Sequence, residues 1–161
     1  MLRGEYLLCG LNALSRAFAG LYFEDGHRGG AILSAFYFCK EAGVEEGVCQ
    51  RLGSKLDERW TNTELCAAFP GEEAQAGLVD NILDTMSAHS TGLRQAGHNV
   101  ILPALALRAF RDVPEAVTTA RIDGICRLIQ CFTVSDVPVS ERDVQLPEPA
   151  DRTAFSEFIL Q

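Results

Sequence analysis

The sequence lacks most of the signatures from which chemistry is usually read. It contains no G-x-S-x-G, no G-x-G-x-x-G and no G-K-[ST]. That removes the serine-hydrolase elbow, the dinucleotide fingerprint and the phosphate loop. No two cysteines are spaced C-x-x-C, and no Cys/His group has zinc-finger spacing. Basic residues are scarce, 14 Lys and Arg against 22 Asp and Glu, for a net charge of −8. Such a surface repels nucleic-acid phosphates and anionic membranes, so neither is expected as a partner. No uninterrupted apolar run approaches the ~20 residues that span a bilayer. The first residues, MLRGEYLLCGLNALSRAF, space their apolar side chains with polar ones and lead to no clear cleavage site, unlike a signal peptide.

What is present is an ordinary globular composition. The 161 residues are 47% hydrophobic and 22% charged, enough for one domain to bury a core without staples. Cys9, Cys39, Cys49, Cys66, Cys126 and Cys131 sit mostly inside apolar runs such as FYFCKEAG and CRLIQCF. They read as buried free thiols in a reducing, cytoplasmic setting. None sits in an obviously activating context.

Hydrophobic spacing reads as helix almost throughout. Leu7, Leu11, Leu14, Phe18 and Leu21 recur at three and four, predicting an amphipathic helix over 5–23. EDGHRGG then reads as a break. Residues 31–43, apolar nearly all round, predict a central buried helix stopped by Gly43. A third helix carries Val44, Val48, Leu52 and Leu56. Thr61 and Glu64 have capping-box spacing before a short helix ending at Pro70. Residues 72–89 place Leu78, Ile82 and Met86 in register. An apolar run over 99–110 follows, and then a helix with Pro114 near its first turn buries Ile122, Ile125, Leu128, Ile129 and Phe132. Residues 133–150 read as loop, and 151–161 as a C-terminal helix able to dock or exchange. Strand evidence is thin, since Pro138 demotes FTVSDVPVS. The expected fold is all-α, a helical bundle or α/α-hairpin array of six to seven helices in a single domain over 1–150.

An internal echo organises this array. Aligning His27 with His98, an offset of 98 − 27 = 71, lays DGHRGGAILSAFYFCKEAGV over AGHNVILPALALRAFRDVPE. Gly26 then matches Gly97, and Ala35 matches Ala106. The simplest account is a duplicated helical hairpin, with halves at about 5–60 and 76–132. His27 and His98 would then each begin the innermost helix of a hairpin, and pseudo-twofold packing could bring them together.

GHNVILPALALRAF sharpens the point. Pro103 has no N–H, so the Asn99 carbonyl loses its helical donor. His98, Asn99 and that carbonyl make a polar island against leucines, a common composition for ligand pockets. Arg28 and Arg94 lie near the two Gly-His turns and could meet an anion, and His89 could supply a third imidazole. Each also has a structural reading. His98 and Asn99 can cap a helix, His27 and Arg28 can occupy an exposed turn, and His89 can bond a helix C-terminus. Glu24-x-x-His27 has di-iron spacing, but Gln95-x-x-His98 lacks the carboxylate, and Gly26 argues against the helix that the spacing needs. No metal is expected on that ligand count. Two functions remain: a small-molecule site between the hairpins, using His27, His98, Asn99, Arg94, Arg28 and His89, or an interaction module that self-associates through apolar helices. No cofactor or reaction is indicated.

Overall fold

The computed structural model describes residues 2–89, 92 and 94–133. The loop and closing helix expected beyond residue 133 therefore lie outside the described residues. Within them the fold is all-α, with six α-helices and no strand. These are α1 (Glu5–Ala17), α2 (Tyr22–Glu41), α3 (Glu46–Leu56), α4 (Val79–Ala88), α5 (His98–Asp112) and α6 (Thr119–Cys131). No helix is long and apolar enough to cross a membrane.

The centre is α1, not the 31–43 segment expected there. It packs against α2, α5, α6 and the short turn Glu64–Cys66. Leu11, Ala13, Leu14 and Ala17 are all fully enclosed, whereas Phe38 on α2 is 49% exposed. The segment is apolar all round, but only its Ile32, Leu33, Phe36, Tyr37 and Cys39 face is covered. Gly43 does stop the helix, in the left-handed region at φ 61°.

Two close approaches explain why α1 can hold so many neighbours. A Cβ on Gly29 of α2 would lie 2.8 Å from the Leu14 backbone nitrogen. A Cβ on Gly124 of α6 would lie 2.0 Å from the Ser15 carbonyl oxygen. Only glycine permits backbones that near. Beside Gly124, Arg121 Nε donates to Asn12 Oδ1 at 2.8 Å, and Asn12 Nδ2 donates to the Cys66 carbonyl at 3.2 Å. Asn12 is almost wholly buried, so these bonds answer the demand that a buried amide be paired.

The stretch expected to break the chain is helical instead. α1 ends at Ala17 and α2 begins at Tyr22, which places EDGHRGG inside α2. Its polar residues build the helix start. Asp25 accepts from the Leu21 N–H at 3.1 Å and pairs with Arg28 at 2.8 Å, much as a capping-box carboxylate reaches back. The Thr61–Glu64 capping box does not form. Thr61 instead donates to Asp57 at 2.8 Å, inside a π-turn over Asp57–Thr61 that extends α3. The 72–89 segment becomes helical only from Ala76, because Gln75 N–H is drawn out to the Val117 carbonyl at 2.8 Å. The buried face expected for α6, Ile122 to Phe132, is fully enclosed.

Candidate functional site

The seat of α5 on α2 sets the site. A Cβ on Gly26 or Gly30 would lie 3.0 or 2.7 Å from a Leu102 methyl. The two glycines, one turn apart, thus form a groove that receives Leu102. His27 adjoins that groove, and His98 lies one turn before Leu102 on the same face of α5. The nesting brings the imidazoles into contact, with His27 Nε2 2.8 Å from His98 Nε2. Their ring centroids are 4.5 Å apart and their planes cross at 51°. Phe23 stands against both rings, at 4.4 and 5.0 Å, and Phe132 stands 6.3 Å from His98. His27 is exposed and His98 half-buried.

The other ring nitrogens are committed. His27 Nδ1 lies 2.7 Å from the Phe23 carbonyl. His98 Nδ1 is hydrogen-bonded to the Gln95 carbonyl. Carbonyl oxygens only accept, so both Nδ1 atoms carry hydrogen. A neutral imidazole protonated on Nδ1 has a bare Nε2. Two neutral rings would therefore bring two bare Nε2 atoms within 2.8 Å of each other with no hydrogen between them. The contact is completed only by a cation or a hydrogen donor that neither neutral ring supplies.

The approach to His98 is strained. Gln95, Ala96 and Gly97 are consecutively left-handed, with φ of 44°, 57° and 92°. For Gln95 and Ala96 that conformation costs of order 1 kcal/mol each, and such strain concentrates at functional sites. Gly97 holds the N-cap position of α5, and no side chain caps the helix. His98 is thus the first helical residue. His27 is not its counterpart in this respect, lying five residues inside α2 because EDG joins the helix. The Glu24-x-x-His27 spacing is helical after all.

Asn99 does not cap α5 either. Buried at 2% exposure, it accepts from Arg94 N–H at 3.0 Å and donates to the His89 and Gly92 carbonyls at 3.2 and 3.5 Å. It is the clasp that ties the connection after α4 to α5. Arg94 sends its guanidinium to the Phe132 carbonyl at 3.1 Å. Both side chains, expected to orient a ligand, are spent on backbone. His89 closes α4 with Nδ1 2.9 Å from the Thr85 carbonyl, and its carbonyl rather than its ring reaches the site through Asn99. Arg28 turns away. It lines a separate cleft of about 510 Å³ with Arg16, Asp25, Arg59 and Trp60. A second cleft, about 300 Å³, lies by Tyr6, Cys9 and Asp57. Neither contains the imidazole pair, which meets at the surface and not in a deep pocket. Pro103 is enclosed at the sixth position of α5, so it lies within a continuous helix and does not start it.

Two site residues escaped the sequence reading, Tyr22 and Phe23, and Gln95 entered it only as the position that lacks a carboxylate. Gln95 Nε2 donates to the Tyr22 hydroxyl at 2.9 Å. Gln95 Oε1 and Arg94 Nε are buried with no hydrogen-bond partner among the described residues. Two such orphans directly before His98 mark the neighbourhood as polar beyond its own needs. No group of three or more His, Cys, Asp or Glu side chains among the described residues is arranged to hold a metal ion.

The six cysteines are free thiols. Cys39 and Cys49 share a hydrogen bond, and burial together with that bond pushes the Cys39 thiol up to about 11. The Cys66 thiol bonds Cys9 and is held below its ordinary value first by that bond and then by Arg16, while the same bond and burial drive Cys9 upward.

No family model, curated protein or solved structure matches this chain.

Proposed function

We propose that this is a binding protein or enzyme for a small polar molecule or ion, with His27 and His98 as the contacting groups. One observation carries the reading: two Nε2 atoms 2.8 Å apart whose Nδ1 partners leave no hydrogen for either in the neutral state. Left-handed Gln95 and Ala96 add support, as does Gln95 Oε1, which has no hydrogen-bond partner among the described residues. Asn99 and Arg94 act as positioning residues that hold the connection before His98. The surface setting favours a compact ligand over a large organic one. The contact between positions 71 apart supports the duplicated-hairpin account, and the free thiols support a reducing, cytoplasmic home.

The test is the melting temperature of His27→Gln. The Phe23 carbonyl that His27 Nδ1 meets already accepts the helical i→i−4 bond, so little bonding is lost. A site residue that strains the fold should leave the melting temperature equal or raised when replaced. A drop of more than about 4 °C, roughly 1 kcal/mol at this chain length, would mean that the pair is there to hold the fold.

Among the described residues, the second reading, self-association, has Leu21, Phe38, Leu83 and Ile101 as its exposed large apolar side chains; the C-terminal helix that could dock or exchange lies outside the described residues. The exposed side chains are spread over the start of α2, its far turns, α4 and α5, and isolated apolar residues of this kind are normal on a monomer.

A further inference from the structure

We infer that the His27–His98 pair is a two-nitrogen site for a divalent late first-row transition ion that accepts nitrogen ligands at right angles, of the Cu(II) and Ni(II) class. This rests on the ligand-site reading above and names its ligand.

The argument turns on which cation fits between the rings. Two metal–nitrogen bonds of about 2.0 Å at 90° hold their nitrogens about 2.8 Å apart, whereas a tetrahedral ion would hold them about 3.3 Å apart. The observed separation is 2.8 Å. The ring positions discriminate further. Imidazoles sharing a proton head-on, each axis along the N···N line, would place their centroids about 5.1 Å apart, while rings splayed 45° to either side of a right-angled metal would place them about 4.4 Å apart. The observed distance is 4.5 Å. The ring axes are therefore bent off the N···N line, as a right-angled ion between the nitrogens requires and a head-on shared proton does not.

The remainder of each ring is prepared for the same task. Histidines that ligate metals through Nε2 characteristically donate Nδ1–H to a carbonyl, which fixes the tautomer and raises ligand basicity. Both rings do this, to Phe23 and Gln95. Two protein ligands leave the remaining coordination positions to water or another ligand.

The experiment titrates the wild-type chain with Cu(II), following the histidine ring resonances by NMR and the metal by electron paramagnetic resonance. One equivalent should bind with two equatorial nitrogens, broadening His27 and His98 together at substoichiometric ion and His89 later. Affinity should fall at least about tenfold in His27→Gln and in His98→Gln, with helical circular dichroism retained, and should be unchanged in His89→Gln. Equal broadening of all three histidines, or equal affinity in wild type and His27→Gln, would overturn the inference. If Cu(II) binds nowhere in particular while His27→Gln keeps its melting temperature, the metal is wrong and the ligand-site reading survives. If that variant loses stability clearly, the ligand-site reading fails first.

Discussion

Replacing Gly124 by alanine should destabilise the protein although it improves the helix. In isolation the change gains about 1 kcal/mol of helix propensity. In place, the new methyl would lie 2.0 Å from the Ser15 carbonyl oxygen, 2.7 Å from its carbon and 2.9 Å from its Cα. All three atoms are backbone, so no rotamer can yield. α6 must move away from α1 by more than 1 Å, and the Arg121–Asn12 bond along the same seam, at 2.8 Å, is stretched with it. Overpacking of this kind costs about 3 kcal/mol at the upper end of its range. The net loss is about 2 kcal/mol, or roughly 4–8 °C in melting temperature. Gly47→Ala is the control. Gly47 sits exposed in α3 with only Arg51 Nη1 near, at 3.6 Å, so the same substitution should be neutral or stabilise by up to about 1 kcal/mol. Thermal and urea unfolding followed by circular dichroism measure both. A Gly124→Ala protein at least as stable as wild type, beside a stabilised Gly47→Ala, would falsify the claim that α1 and α6 touch backbone to backbone.

Asn99→Ala should lower stability by about 2–4 kcal/mol, because it strands the Arg94 N–H and the His89 carbonyl. It should also loosen the connection before α5, read as faster amide exchange at Arg94, and shift the His98 ring resonances more than those of an exposed control. Asp112 accepts from Lys40 at 2.9 Å and from the Tyr37 hydroxyl at 3.2 Å. The lysine bond first among its causes holds its carboxyl below the ordinary 3.8. A depressed carboxylate contributes stability above 3.8 that is lost as pH falls below it. Asp112→Asn should therefore be less stable than wild type in urea at neutral pH, with the gap narrowing on acidification, and a gap constant with pH would refute the assignment.

Helices and their apolar faces could be read from spacing alone, because i, i+3, i+4 recurrence is a local property. The buried series Ile122, Ile125, Leu128, Ile129 and Phe132 needed nothing more. The misreadings share a cause. Gly26, Gly29 and Gly30 look like a chain break because glycine is a poor helix former, yet their role is to admit Leu14 and Leu102 from other helices. That information belongs to pairs of distant residues and is written nowhere in the local stretch. The Gly-His echo pointed to two histidines that do meet. The conflict between their bare nitrogens depends on where Nδ1 points, and no spacing rule reports that. Left-handed Gln95 and Ala96 were equally hidden, since neither residue type advertises the conformation, and only Gly97 beside them did.

The distance along the chain between the two rings has a consequence for abundance. In the unfolded ensemble, positions 71 apart stand roughly 45 Å from each other on average. A ligand that needs both rings therefore meets its site only in the folded molecule. Occupancy then stabilises by mass action, about 2.7 kcal/mol at a hundredfold excess over the dissociation constant. Degradation samples the opened chain, so the steady-state level of this protein in a cell would rise and fall with the supply of any ligand that bound both imidazoles.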